Sequence, residues 1–326
     1  MEPKLATPTQ GQVQAVLESV LRGLHDSEAC LDHWSAELVR ELETRRVIRY
    51  DLSVRLPGSL TPLRHQWIGK FYDREETGLR VATILHSLAS TDCSARGNSV
   101  FPTPIAWHPP LRLLLLTYQE GESVLSVLGH ASNKSILSAI GRALAALHSA
   151  PVHVDAFSST CALLADLEQR IDDLRTWLSV EPSLLRDILH CLQNREPPPP
   201  SRAAFLHGDF GPAQLLWQDD RLVILDFDKC TRGDAAQDLG NLLTQLRRIL
   251  LRTQGVPADF ASWRRSTLDA YRQWSPVDLD LPERLPWYEL VILVRKIHFL
   301  SRTHKVYKRV EAIRLLGELP SVMDSV

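Results

Sequence analysis

Cysteine is scarce in this chain and scattered. The five thiols, Cys30, Cys93, Cys161, Cys191 and Cys230, include no CxxC pair, which argues against a disulfide scaffold and a zinc site and for thiols in a reducing compartment. An excess of either charge is also missing. Lys and Arg number 37 against 39 Asp and Glu, for a formal net charge of −2, and there is no extended basic arm, so a nucleic-acid partner is not implied. Long apolar runs are absent. The richest windows, 111–116 and 290–300, are too short or too interrupted by charge to span a bilayer, and no membrane association is expected. The opening residues MEPKLATPTQGQVQ lack the apolar core of a secretory signal, so the expected location is cytoplasmic. No internal repeat is found. What remains is ordinary soluble protein, 326 residues with 44% apolar and 23% charged content, enough for one large domain or two ordinary ones.

Residues 11–43 read as helix, with Val13, Val16, Leu17, Val20, Leu21 and Leu24 at helical spacing. The alternating stretches 47–56 and 65–73, separated by the turn signal Pro57-Gly58-Ser59, predict a β-hairpin. A helix over 75–89 follows, then strands near 103–107 and 111–118. After a polar break at Gln119-Glu120-Gly121, apolar stripes of helical period dominate from Lys134 onward. Four successive prolines, Pro197 to Pro200, predict a stiff connector. A β-rich first third and a helical remainder predict an α+β chain in two lobes, 1–118 and 119–326.

The helical remainder is interrupted at residues 205–240, FLHGDFGPAQLLWQDDRLVILDFDKCTRGDAAQDLG. Asp209 follows His207-Gly208. Asp226 and Asp228, the first of them 17 residues beyond Asp209, end the run Leu222-Val223-Ile224-Leu225. Carboxylates at the ends of buried strands are costly unless a cation or a chemical task needs them. Phosphoryl transfer needs one carboxylate to take the acceptor proton, oxygen ligands for Mg²⁺, and a lysine for the α/β-phosphates. Asp209, Asp226, Asp228, the amide oxygen of Gln214, and Lys70 in the second hairpin strand are the groups on offer. Asp219-Asp220, between two strand-like runs, reads as a hairpin turn.

These residues resemble the catalytic core of the aminoglycoside-phosphotransferase and choline-kinase-like family, small-molecule relatives of the protein kinases. His207-Gly208-Asp209 resembles its HGD loop, with an amide five residues on. Leu225-Asp226-Phe227-Asp228 resembles its metal-binding element, and Asp234 to Gly240 its GDPxxDLA segment. The resemblance implies a protein-kinase-like two-lobe fold, a small β-rich N-lobe binding nucleotide and a larger, mainly helical C-lobe. It implies an ATP-dependent phosphotransferase acting on a small-molecule hydroxyl: an aminoglycoside, another antibiotic, a sugar or an amino alcohol. Asp209 is then the catalytic base, Asp226 and Gln214 hold Mg²⁺, Lys70 orients the phosphates, and Asp238 braces the catalytic loop. His207 is structural, and backbone groups at Gln119 and Glu120 meet the adenine.

The chain departs from the family in three places. Gln214 stands where the family has Asn, so it is either a metal ligand or a packing residue. The turn near 43–46 lacks glycine, leaving Arg45 or Arg46 as substitutes at a phosphate or as surface residues. The acidic partner of Lys70 is undefined, with Glu75 and Glu76 the nearest acids. Asp228 is either a second metal ligand or the cap of a turn at Thr231-Arg232-Gly233. Arg302, Lys305, Lys308 and Arg309 form a solvated helix face or, alternatively, contact an anionic substrate. The departures define a rival reading, a pseudokinase-like nucleotide- or ligand-binding protein with little or no turnover.

Overall fold

The computed structural model describes residues 8–25, 27–128, 134–178, 182–252, 260–275, 278–303 and 305–326. The chain divides into two compact units, Met1–Ser90 with Phe101–Glu120, and Thr91–Val100 with Gly121–Val326.

The first unit opens with α1 (Gln10–Leu24). Thr9 and Gln12 form a reciprocal capping box at its start, and Val13, Val16, Leu17 and Leu21 are buried along one face. The helix expected over 11–43 stops at Leu24, and Cys30–Glu41 is instead strand β1. Almost all of β1 is exposed, and its pairing with β2 (Arg45–Arg55) is irregular at two places, Leu31/His33 and Leu38/Arg40. Each irregularity swaps the faces, so an edge strand of this kind writes no clean alternation into the sequence. β2 pairs with β3 (Leu63–Tyr72) from Arg45↔Tyr72 to Val54↔Leu63, the expected hairpin, and α2 (Glu75–Ala89) has the expected bounds. The chain then makes α3 (Cys93–Gly97) and β4 (Ser99–Val100), which belong to the second unit, before returning with β5 (Pro104–His108) and β6 (Leu113–Thr117). The resulting sheet has the order β1-β2-β3-β6-β5. Its core packs Val13, Leu17 and Leu21 of α1 against Tyr50, Val54, Trp67, Phe71, Leu113 and Leu115.

The second unit is mainly helical. β7 (Glu122–Ser123), α4 (Val124–Val127), α5 (Lys134–His148), α6 (Thr160–Trp177) and α7 (Pro182–Asn194) lead through the proline stretch, which has no regular structure, to β8 (Ala204–Leu206). Then come β9 (Leu215–Gln218), β10 (Arg221–Ile224) and β11 (Thr231–Gly233). The unit closes with α8 (Ala235–Arg252), α9 (Phe260–Trp274), α10 (Leu281–Ser301), α11 (Val306–Leu316) and α12 (Leu319–Met323). β4, β10, β9 and β7 form one small sheet, and β11 pairs with β8 in another. Asp219 and Asp220 both have positive φ, 46° and 59°, as a two-residue hairpin turn between β9 and β10 requires. α5 packs on α9, and α10 packs on α8 and α6, burying Ile140, Leu144, Leu167, Ile171, Leu243, Trp287 and Val291. All five cysteines are free thiols. Among the described residues no helix is long and apolar enough to cross a membrane.

Candidate active site

The HGD segment leaves β8 as a turn that only glycine allows. Gly208 has φ +78°, and a Cβ there would collide with the carbonyl of Lys229, so both backbone conformation and space exclude a side chain. The turn is held from below by Asp238, in the first turn of α8 and fully buried. Its Oδ2 accepts from the amide of His207 at 2.7 Å and its Oδ1 from the amide of Gly208 at 3.0 Å. Oδ2 also lies 3.3 Å from His148 Nε2 on α5, and His148 Nδ1 is 2.9 Å from the Tyr271 hydroxyl on α9. Burial pushes the Tyr271 phenol far above its usual range, so this hydroxyl stays neutral. A second brace runs from Asn241 Nδ2 to the carbonyl of Phe210 at 2.9 Å.

His207 is completely buried. Its Nε2 donates to the carbonyl of Leu225 at 2.8 Å, and its ring packs on Phe210 and Phe227 with centroids 5.8 and 5.0 Å away. The imidazole therefore ties the HGD turn to the segment bearing Asp226 and does not face the cavity as a base. Asp209 does face it. One oxygen meets Lys229 Nζ at 2.9 Å, and the side chain is about one-third exposed (29%). Together with Arg170, Lys229, Asn241, Arg295, Lys296 and Phe299 it lines a cavity of about 240 Å³.

The Leu225 amide donates to the Gln214 carbonyl at 2.9 Å, one step beyond the Ile224↔Leu215 pair of the β9–β10 ladder, which brings the Gln214 backbone beside the residue that precedes Asp226. Asp226 takes a left-handed conformation, φ 67°, at the head of the 3₁₀ turn Phe227–Lys229, a strained placement of the sort found at functional sites. Asp226 and Asp228 are both half-buried. The Gln214 side-chain oxygen, Oε1, is buried and has no hydrogen-bond partner among the described residues. A lone buried oxygen acceptor of this kind, on a backbone bonded to the residue before a half-buried aspartate, fits a hard cation. No group of three or more His, Cys, Asp or Glu converges among the described residues. Mg²⁺ does not need one, because it is commonly held by one or two carboxylates with phosphate and water completing the shell.

One sequence expectation fails here. Thr231-Arg232-Gly233 is strand β11, paired with Leu206-Phe205-Ala204, so there is no turn for Asp228 to cap. In the first unit, Lys70 is buried (8% exposed) on β3 between Val47 and Leu114. That placement excludes an outward-facing surface lysine. Glu75 and Glu76 are exposed in the first turn of α2, and Arg46 pairs with Glu41 across the β1–β2 hairpin at 2.6 Å. Gln119 bonds Thr117 through its side chain at 2.8 Å, and the two units divide between Glu120 and Gly121. Sequence reasoning missed Lys229, Asn241, His148, Lys296 and Phe299. Lys229 was the most legible of these, standing beside the acidic element, whereas the others come from helices in which nothing in the spacing marks them.

The phosphotransferase enzyme family model (APH) matches residues 61–287, which include Lys70, the HGD turn and the Asp226 segment. The chain belongs to this family. It is thus a member of a family of small-molecule phosphotransferases, and its fold is the protein-kinase-like α+β fold. The ethanolamine kinase of Plasmodium vivax superposes with a TM-score of 0.62 at 10% identity, over 98% of this chain and 93% of that one. A macrolide 2′-phosphotransferase from Brachybacterium faecium gives 0.55 at 17% identity, over 92% and 98%. The streptomycin–ATP ternary complex of APH(2″)-IIa gives 0.55 at 14% identity, over 97% of both chains. At these identities the likeness is one of fold. No curated protein matches the sequence.

Proposed function

We propose that this phosphotransferase moves the γ-phosphate of ATP to a hydroxyl of a small molecule. The observation that carries the proposal is Asp209, a carboxylate presented to a cavity by a turn whose two preceding amides are fixed by a buried aspartate. In this reading Asp209 accepts the acceptor's proton while the new P–O bond forms and the bond to ADP breaks. Lys229 Nζ meets one Asp209 oxygen at 2.9 Å and orients the side chain. Asp226 and Gln214, with Asp228, are the residues that would hold Mg²⁺, which when bound neutralises charge on the transferring phosphate. Lys70 would meet the nucleotide phosphates, and backbone at Gln119 and Glu120 the adenine. ATP as donor draws support from the neighbour solved with ATP, and the five free thiols suit a cytoplasmic enzyme.

The test has two steps. ATP with Mg²⁺ is expected to raise the thermal midpoint more than ATP alone; no shift in either case rejects nucleotide binding altogether. Asp209→Asn is then expected to lower ATP-dependent phosphate release roughly 10²- to 10⁴-fold with the nucleotide-induced shift intact. Release at an unchanged rate removes Asp209 as the base. Binding without release in the parent protein favours the pseudokinase-like reading.

A further inference from the structure

The cavity beside Asp209 is lined by more cations than carboxylates. Its lining contains four cationic side chains, Arg170, Lys229, Arg295 and Lys296, and two carboxylates, Asp209 and Asp238. Asp238 is committed to the backbone amides of the HGD turn. Asp166 is shared between Arg170 at 2.7 Å and Arg295 at 2.9 Å, which leaves that trio with one net positive charge. Lys229 is matched by Asp209.

Lys296 stands apart from these pairs. It makes no hydrogen bond or ion pair among the described residues, and its ammonium sits 5.6 Å from the centroid of Phe299. The Lys308 ammonium on α11, from the basic stretch of the sequence, lies 5.7 Å from the centroid of the same ring and likewise has no carboxylate partner among the described residues. Burial first, then the nearby charges of Arg248 and Lys229, bring the Lys296 ammonium down to about 8, with Asp209 and Glu311 acting in the opposite sense. A half-buried cation in a positive surround is a group that an incoming anion would stabilise. On the same wall Gln237 Oε1 is buried without a partner, an acceptor awaiting a hydroxyl or N–H. The cavity, about 240 Å³, is below the range of roughly 300–1,000 Å³ usual for drug-sized ligands.

We propose that the acceptor is a small anionic alcohol, bearing a carboxylate or a phosphate, whose anionic group is held by Lys296 with Lys308 close by while its hydroxyl meets Asp209. This rests on the phosphotransferase reading above and narrows it. Polycationic aminoglycosides and amino alcohols would add charge to a surface that already carries an excess of the same sign. The transfer itself is unchanged: the acceptor oxygen bonds to the γ-phosphorus, its proton passes to Asp209, and ADP leaves with the electron pair of the broken bond.

The test uses the full chain and five probes: glycerate, glycerol 1-phosphate, glycerol, ethanolamine and kanamycin. Each is titrated calorimetrically with and without saturating Mg²⁺–ADP, then offered with Mg²⁺–ATP in a transfer assay. At least one of the two anions is expected to bind tenfold or more tightly than glycerol, with Mg²⁺–ADP present or absent, and which one it is separates carboxylate from phosphate recognition. Lys296→Met is expected to abolish that preference and raise KM for the preferred anion at least tenfold with kcat within threefold, and Lys296→Arg to restore it. If Lys296→Met fails to fold, the parent protein's anion-to-glycerol ratio and its decrease in Lys308→Met decide. Tighter binding of ethanolamine or kanamycin, equal affinity for glycerol and both anions, or displacement of the anion by Mg²⁺–ADP overturns the inference. Any of these leaves the phosphotransferase reading standing if Asp209-dependent transfer is seen. Anion binding that needs Lys296, with no transfer to any probe and no Asp209-dependent phosphate release, retains the anion site and removes the function.

Discussion

Asp209 and Asp238 stand 29 residues apart in the sequence and serve one turn in opposite ways. Asp238 is 1% exposed, with both oxygens engaged by amides and a histidine nearby. Asp209 is partly exposed and meets a single lysine at the cavity. A buried carboxylate with both oxygens engaged by the protein serves to position; one left facing a cavity with spare acceptor capacity can accept a proton from a ligand. The contrast extends to the loops. The HGD turn is fixed by glycine, aspartate, histidine and asparagine together. The β1–β2 turn at Leu42, Glu43 and Thr44 is exposed and needs no positive φ among its three residues.

Three substitutions probe that comparison. Gly208→Ala puts a methyl group against the Lys229 carbonyl in a left-handed conformation, and is expected to destabilise the protein by at least about 3 kcal/mol. Because the clash falls on the residue that holds Asp209, activity should fall with stability. Denaturant unfolding measures the first, and a normal midpoint would show that the turn is less constrained than argued. Asp238→Asn replaces one acceptor oxygen with a donor facing a donor. It is expected to cost about 2–3 kcal/mol and, unlike Asp209→Asn, to lower thermal stability along with turnover. Equal stability losses in the two variants would erase the distinction between positioning and acting. Thr44→Gly should change stability by less than about 0.5 kcal/mol, and a larger shift would mean that the glycine-free turn is also constrained.

Much of this was legible because it is local. The β2–β3 hairpin, α2 and the later helices follow from period and turn chemistry, and the HGD and DFD segments carry their chemistry in adjacent residues. What stayed hidden depends on tertiary pairing. β1 was absorbed into α1 because an exposed, bulged edge strand has no apolar face to announce it. β11 looked like a turn, since Thr231, Arg232 and Gly233 become strand only through partners 25 to 29 residues earlier in β8. Lys296 lies in a helix whose sequence gives no sign that its face borders Asp209. The bulk charge of −2 likewise conceals a cavity in which cations predominate, because net charge says nothing about where charges gather.

Strand β4, two residues long, pairs in parallel with β10, about 120 residues further on. During synthesis at roughly 5–20 residues per second, it must wait on the order of 6 to 24 s for its partner to be made. Over that interval the β1-β2-β3-β6-β5 sheet can already be complete, with residues 91–100 looping out of it. A gene split after Glu120 would part β4 from β10. The upstream piece would carry a strand with nothing to pair with, and the downstream piece would expose the bare edge of β10. Complementation by two separately expressed fragments should therefore succeed better with a split placed elsewhere, and the single chain is what keeps β4 close enough to be found.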